Sequence, residues 1–158
     1  MTDMKKGLYL RPATLEDAKI LFEWRNDPQA RAASHNQDKI SFKAHLSWLK
    51  DSLVNPDRKL YIAEEDGVRV GTVRADWTEG AFTLSWTVRP EFRGKGVGKR
   101  MVSLLAKQIT EPIRAEVKVG NLASIRIARE AGLQLDYTKN GIMYFSRKAS
   151  GQLSPGQT

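Results

Sequence analysis

Cysteine is absent from the 158-residue chain. The sequence therefore contains no disulfide, no thiolate metal site and no cysteine nucleophile. Long apolar runs are also missing, and none approaches the roughly 20 residues that a membrane-spanning helix needs. The first ten residues lack the apolar run of a signal peptide. We therefore expect a cytoplasmic protein that does not associate with membranes, and we expect no metal site.

Positive charge is in clear excess, with a formal net charge of +8. Such an excess favours anionic partners, which include nucleic acid, anionic lipid and phosphorylated small molecules. The alternative is an ordinary solvated basic surface. Basic and aromatic residues do not interleave regularly along the chain, so we expect no nucleic-acid partner.

The length and the 41% hydrophobic fraction are typical of one globular domain with its own core. We predict a single domain over residues 1–148. The last residues, 149–158, are rich in Ser, Gly, Gln and Pro, a composition that predicts a disordered tail.

The first third of the chain has the pattern of a strand followed by two helices. Residues 8–11 predict a short strand. Thr14 and Asp17 predict a capped helix start, and the turn-forming residues 26–28 predict the end of that helix. Ser41 is the predicted N-cap of the second helix.

The hydrophobic period then changes to two, which predicts a meander of three strands around 60–63, 68–73 and 81–88. Turn residues at 65–67 and 78–80 separate these strands. The remaining predicted elements are a helix over about 98–109, a strand over 113–119, a helix from Asn121 to Gly132, and a hairpin of 133–137 with 142–146.

The sharpest local signal is the glycine-rich stretch from Val88 to Lys99, which joins a predicted strand to a predicted helix. Its glycines allow close approach to a ligand, and the N–H groups of a helix N-terminus favour phosphate oxygens. The stretch has neither a P-loop ending nor the spacing of a dinucleotide fingerprint. A tight strand-to-helix turn is the structural alternative. Four basic residues add positive charge here: Arg93, Lys95, Lys99 and Arg100.

Two motifs together resemble the GCN5-related N-acetyltransferase superfamily. The first is Arg93-x-x-Gly96-x-Gly98, and the second is Asn121-x-x-Ser124 followed by a Gly132 helix end. The resemblance covers residues 8–147. It implies an α+β fold with a mixed, mostly antiparallel sheet of six to seven strands, flanked by about four helices. It also implies an acetyl-CoA-dependent N-acetyltransferase in which an amine attacks the thioester directly.

The resemblance further implies three sets of acetyl-CoA contacts. Main-chain groups of Trp86, Thr87 and Val88 would pair with the pantetheine arm, and an amide near Val88 would face the acetyl oxygen. Asn121 and Ser124 would lie on the other side of that arm, although Asn121 is also a plain helix N-cap. The pyrophosphate would lie on the loop residues Arg93, Gly94, Lys95, Gly96, Val97, Gly98 and Lys99.

The proton carriers of the superfamily are incompletely matched. Where many relatives carry a tyrosine the chain has Ala128, and where some carry a glutamate it has Thr83. Glu116, on the charged face of the fifth strand, is the predicted catalytic residue. The alternative is that Arg114 and Lys118 simply pair with it, which would make it a poorer base.

Other titratable residues are weaker candidates. Tyr137 and Tyr144 are expected to pack in the last hairpin. His45 is expected to be partly buried on the second predicted helix, and His35 lies in a polar segment on the expected substrate side.

The acceptor side resembles two subgroups. Residues 24–28, 45–46 and 60–62 are similar to acetyltransferases of the pseudaminic-acid pathway, which act on a UDP-linked amino sugar, and to ribosomal-protein N-terminal acetyltransferases. Arg25 and Asn26 are the predicted substrate-binding residues. The expected partner is therefore a small-molecule amine or a peptide N-terminus, with the protein a monomer or homodimer. A binding module without catalysis, holding a phosphorylated ligand or acyl-CoA, is the alternative.

Overall fold

A computed structural model describes residues 7–150. Seven strands form one sheet in the order β1-β2-β3-β4-β5-β7-β6. Every neighbouring pair is antiparallel except β4 and β5, which run parallel. The strands are β1 (Leu8–Pro12), β2 (Arg58–Glu65), β3 (Val68–Thr78), β4 (Ala81–Val88), β5 (Ile113–Lys118), β6 (Gln134–Lys139) and β7 (Ile142–Arg147).

Within residues 7–150, five α-helices flank this sheet, one more than the sequence predicted. They are α1 (Ala18–Asn26), α2 (Pro28–Ala33), α3 (Phe42–Val54), α4 (Val97–Gln108) and α5 (Leu122–Glu130). The additional helix is α2. Pro28 ends α1 but also begins α2, where its missing N–H costs nothing, and the Asp27 carboxylate accepts a hydrogen bond from the Ala30 amide at 3.0 Å. The predicted fold class is confirmed.

Most predicted helix boundaries carry the expected caps. Thr14 and Asp17 form a complete capping box, although it opens a short 3₁₀ turn over Leu15–Asp17 that leads into α1. Ser41 accepts a hydrogen bond from the Ala44 amide at 3.1 Å and caps α3. Gly132 follows α5 with a φ of 94°, the left-handed conformation that favours glycine.

The two faces of the sheet are covered by different helices. On one face, α4 and α5 pack on the main core, which includes Val73, Met101 and Phe145. On the opposite face, α1 and α3 pack on a smaller core around Leu49 and Ile62. We call this opposite face the acceptor face, because α1 ends there with Arg25 and Asn26, the residues predicted from the sequence to bind the acceptor. Alternation along β5 places Ala115 and its apolar neighbours toward α4 and α5, and the charged side chains on the acceptor face.

The predicted disordered tail lies outside the described residues, apart from Ala149 and Ser150. Between residues 7 and 150, no helix combines the length and hydropathy needed to cross a bilayer.

Candidate active site

The central feature of the site is a split between β4 and β5. These parallel strands pair at three positions, which end with Leu84 opposite Ala115. Beyond that point, Ser85–Val88 continue to pair with β3 but not with β5. One main-chain edge of β4 is therefore open, and an extended ligand can add to it as a strand does. The predicted cofactor residues Trp86, Thr87 and Val88 all lie on this open segment.

The glycine-rich loop lies at the end of the same strand. Gly94 and Gly96 adopt φ values of 76° and 77°, which a side chain would strain. Gly96 is the N-cap of α4, and it has no side chain that could accept a hydrogen bond from the first turn of the helix. The first-turn amides of Val97, Gly98 and Lys99 are consequently left as donors at the positive end of the helix dipole. This arrangement fits a pyrophosphate group.

Gly98 has a second role, because α4 approaches its neighbours closely there. A Cβ atom at Gly98 would lie 2.4 Å from Ile127 Cδ1 on α5 and 3.3 Å from a methyl group of Val88. Gly98 therefore allows close packing between α4, α5 and β4.

Arg93 ties the loop to α2. Its guanidinium donates to Asp27 Oδ2 at 2.6 Å and to Gln29 Oε1 at 3.1 Å. Burial raises the pKa of Asp27, but the hydrogen bonds from Arg93 and from the Ala30 amide outweigh it and hold the pKa below its ordinary value.

The other cations of the loop differ in how they are engaged. Arg100 pairs with Glu65 on β2. The Lys95 ammonium lies 5.4 Å from the centre of the Phe92 ring, and Lys99 is exposed. Lys95 and Lys99 are thus the loop side chains best placed to meet a phosphate.

Asn121 and Ser124 join α5 to the site. Asn121 Oδ1 accepts a hydrogen bond from the Ser124 amide at 3.2 Å, which confirms the N-cap. Ser124 Oγ accepts a hydrogen bond from Trp86 Nε1, also at 3.2 Å. This bond spans the split, because Trp86 is on β4 and α5 follows β5. It fixes the relative position of the two walls of the cleft.

Glu116 is the first residue of β5 beyond the split and points to the acceptor face. Ser85 is its counterpart on β4. Neither cation that flanks Glu116 pairs with it. Arg114 donates to the Glu79 carbonyl at 3.4 Å, and Lys118 donates to one carbonyl in the last turn of α2 and to one just after it. His35 Nε2 instead lies 3.3 Å from Glu116 Oε1, whose side chain is 39% exposed.

Arg25 and Asn26, at the end of α1, hold the loop of residues 34–40. The Asn26 amide makes two hydrogen bonds to the main chain of Ile40, at 2.8 and 2.9 Å. Arg25 Nη2 donates to the Asn36 carbonyl at 3.2 Å. Arg25 Nη1 is buried without a hydrogen-bond partner. Arg25 therefore retains free donor capacity, whereas the Asn26 side chain is used within the protein.

A cluster on the acceptor face was not predicted from the sequence. Trp48 of α3 lies against the guanidinium groups of Arg58 and Arg74, at 5.5 and 5.6 Å. Both arginines share the carboxylate of Asp76, at 2.7 and 3.0 Å. Arg74 also reaches Ser85 Oγ, at 3.4 Å, beside the split. No local motif signals this cluster, because its members come from four elements.

The remaining titratable candidates lie as follows. Tyr137 and Tyr144 stack on each other at 4.6 Å between ring centres, so they pack in the hairpin as expected. His45 is more deeply buried than expected, at 3% exposure. Ala128 is fully buried in the main core. Across residues 7–150, no cluster of three or more His, Asp or Glu side chains is arranged to hold a metal ion.

Comparison with known proteins identifies the family. The family model for acetyltransferase (GNAT) domains matches residues 7–134. No curated protein sequence matches the chain.

Solved structures with a similar fold were also found. YncA of Salmonella typhimurium, solved with acetyl-CoA, is 21% identical, with a TM-score of 0.76 and coverage of 95% of this chain and 98% of that one. Spermidine N-acetyltransferase of Vibrio cholerae, solved with CoA and spermine, is 15% identical, with a TM-score of 0.81 and coverage of 91% and 96%. RimL, a ribosomal L7/L12 α-N-protein acetyltransferase solved with CoA, is 16% identical, with a TM-score of 0.78 and coverage of 94% and 98%. The chain therefore belongs to the acetyltransferase (GNAT) domain family, and it is an acetyl-CoA-dependent N-acetyltransferase.

Proposed function

We propose that this enzyme acetylates a primary amine held on the acceptor face, and that a nucleotide-linked amino sugar is its best candidate acceptor. The observation that carries the proposal is the split between β4 and β5. It opens a main-chain edge beside a phosphate-binding loop and places Glu116 at the same point on the acceptor face.

On the donor side, the role of the chain is to bind acetyl-CoA and to orient it. Acetyl-CoA supplies a thioester-activated acetyl group. The open edge of Trp86, Thr87 and Val88 pairs with its extended arm, and the loop amides of Gly96–Lys99 hold its pyrophosphate. Fixing the acetyl carbon in this way removes most of the entropy cost of bringing it to the amine.

On the acceptor side, Glu116 accepts the proton that the amine must lose before it attacks. The carboxylate lies one residue past the last paired position, which is the nearest point of β5 to the open edge. His35, at 3.3 Å, restricts the position of the carboxylate. A positioned carboxylate of this kind contributes roughly 100-fold or more to the rate.

The charge of the acceptor face favours an anionic acceptor. Arg58 and Arg74 share one carboxylate, so their cluster carries surplus positive charge, and Arg25 adds to it. A polyamine such as spermidine, the substrate named for one structural neighbour, would be repelled here. A peptide N-terminus is the second candidate, favoured by the likeness to RimL.

The acceptor is tested by measuring CoA release with a UDP-linked 4-amino sugar, a peptide with a free N-terminus, and spermidine. We expect the amino sugar to give the highest kcat/KM and spermidine the lowest. Comparable or faster turnover of spermidine would contradict the anionic acceptor. Turnover of the peptide alone would select the second candidate.

Glu116→Gln tests the proton acceptor with whichever substrate is turned over. We expect kcat to fall by about 100-fold with little change in the affinity for acetyl-CoA, because the carboxylate faces the amine rather than the donor. Glu130→Gln, at an exposed carboxylate on α5, is the matched control. An unchanged kcat in Glu116→Gln would remove Glu116 from the reaction.

A further inference from the structure

Two buried polar atoms on the acceptor side have no partner. His45 is 3% exposed, and its Nε2 atom makes no hydrogen bond. Arg25 Nη1 is also buried and unpartnered, and in residues 7–150 these are the only buried side-chain nitrogen or oxygen atoms in that condition. A buried polar atom without a hydrogen bond is destabilising, and most buried polar atoms in proteins are paired, so these two atoms need an explanation.

The two side chains are neighbours, because Phe22, which contacts the His45 ring, lies three residues before Arg25 on the same side of α1. Burial, followed by the positive charge of Arg25, lowers the pKa of His45 below its ordinary value. The imidazole stacks on Trp48, at 5.6 Å between ring centres, and lies tilted against Phe22, at 5.8 Å. These rings fix its orientation but offer no hydrogen bond to Nε2.

The chemistry of both atoms specifies the missing partner. A guanidinium can only donate, and an imidazole with its proton on Nε2 donates from that atom too. No carboxylate of the described chain lies within 4.0 Å of the Arg25 guanidinium. A buried guanidinium nitrogen without a partner, next to an imidazole that can also donate, matches an oxyanion.

The pair is placed within reach of the reacting centre. Asn36, whose carbonyl accepts a hydrogen bond from Arg25, directly follows His35, which contacts Glu116. Lys118 holds the start of the same loop through the Ser34 carbonyl, and it also binds the Ala32 carbonyl at the end of α2. A single acceptor molecule can therefore present its amine to Glu116 while another of its groups meets Arg25.

We propose that Arg25 and His45 form a binding site for an oxyanion of the acceptor, a carboxylate or a phosphate, so that the substrate is an amine that also carries a negative group. This deepens the function proposed above and rests on it. It assigns His45 to substrate binding, and it specifies that Arg25 binds the negative group of the acceptor. The surplus positive charge of Arg58 and Arg74 lies against the same Trp48 ring and supports the same sign of ligand.

The test uses NMR of the His45 ring in the full-length protein, with CoA at saturation so that the pyrophosphate loop is occupied. Inorganic phosphate and succinate are titrated separately, with spermidine as the cationic comparison. We expect a saturable shift of the His45 signals with at least one of the two anions and none with spermidine. Which anion binds more tightly decides between a phosphate and a carboxylate.

Substitutions distinguish anion binding at this site from nonspecific attraction by the positive charge of the protein. Arg25→Gln should weaken anion binding by at least 10-fold, because it removes a charged donor. His45→Gln should keep most of the binding, because its amide nitrogen can stand near Nε2, whereas His45→Leu should lose it. Arg129→Gln, at an exposed arginine on α5, should change nothing.

Several outcomes would overturn the proposal. These are no saturable shift of His45 in the wild type, a shift that Arg25→Gln leaves unchanged, or equal binding in His45→Gln and His45→Leu. If a variant fails to fold, the titration of the wild type is sufficient to test the proposal. Failure of CoA to bind would instead count against the donor site and the proposed function. The two failures can be distinguished, because the anion titration can also be carried out without CoA.

Discussion

Asp17 is the most completely engaged carboxylate at the N-terminal edge of the sheet. It is 1% exposed and accepts hydrogen bonds from both terminal nitrogens of Arg11 at 2.8 Å, from the Thr14 amide at 2.9 Å, and from Arg69 at 3.3 Å. Burial raises the pKa of Asp17, but the hydrogen bonds from Arg11 and Thr14 outweigh it and hold the pKa below its ordinary value. The carboxylate thus joins β1 and β3 to the start of α1.

Asp17→Asn should lower the free energy of unfolding by about 3 kcal/mol at pH 7, because it removes the buried carboxylate that accepts hydrogen bonds from Arg11, Thr14 and Arg69. The pKa of Asp17 is depressed in the folded state, so its stabilisation is fully present above the unfolded value of about 3.9 and is lost as pH falls through the folded value. The difference between wild type and variant should therefore shrink below about pH 4. Urea unfolding at several pH values measures it, with the exposed Asp51→Asn as control. A difference independent of pH would contradict this account.

Individual site residues were predictable only where a motif carried them. The loop glycines and Asn121 stay predictions as cofactor-binding residues, and their local roles at the starts of α4 and α5 could be predicted because their neighbours in sequence are also their neighbours in space. Trp48 and Arg74 could not, because they meet only after α3 has packed on the sheet. Asn26 stays a prediction as a substrate-binding residue, and its bonds to Ile40 show a structural use that sequence spacing did not suggest.

At the scale of elements, the open edge of β4 depends on how closely β3 and α4 approach it. Gly71 of β3 lies opposite Val88. A Cβ atom there would lie 2.9 Å from the Thr87 carbonyl oxygen and 2.9 Å from the sulfur of Met101. The methionine side chain can move, but the carbonyl belongs to the strand itself. Gly71 therefore sets the position of the strand segment that we assign to acetyl-CoA.

Gly71→Ala should displace β4 near Thr87, which would cost about 1–3 kcal/mol of stability through overpacking. We also expect acetyl-CoA to bind at least several-fold more weakly, because main-chain hydrogen bonds tolerate little displacement. Thermal unfolding and calorimetric titration measure the two effects. Val68→Ala, at an exposed position of the same strand, is the control. Full stability with unchanged affinity would show that β4 can relax without consequence.

Element boundaries were predictable where capping chemistry is local, as at Thr14, Ser41 and Gly132. The short helix α2 was missed because Asn26-Asp27-Pro28 is a helix stop and a helix start at once. Both readings follow from proline chemistry. Only the hydrogen bond from the Ala30 amide to Asp27, together with the contact of Asp27 with Arg93, favours a second helix there.

At the scale of the whole molecule, the sheet consists of two parts that meet at three parallel pairs of β4 and β5. The cleft exists because these strands diverge after Leu84 and Ala115, while Trp86 and Ser124 keep the walls together. The order of strands and helices could be predicted from hydrophobic period and turns. The point of divergence could not, because it depends on contacts between segments about 30 residues apart.

The most direct test of the central claim is calorimetric titration of acetyl-CoA into the wild type, Gly96→Trp and Gly80→Trp. Gly96 and Gly80 share a left-handed backbone with open space around them, but Gly80 lies in the β3–β4 turn at the opposite end of β4 from the loop. We predict micromolar binding to the wild type and to Gly80→Trp, and its loss in Gly96→Trp. Equal binding to all three proteins would show that the donor site lies elsewhere, and no binding to the wild type would contradict the account as a whole.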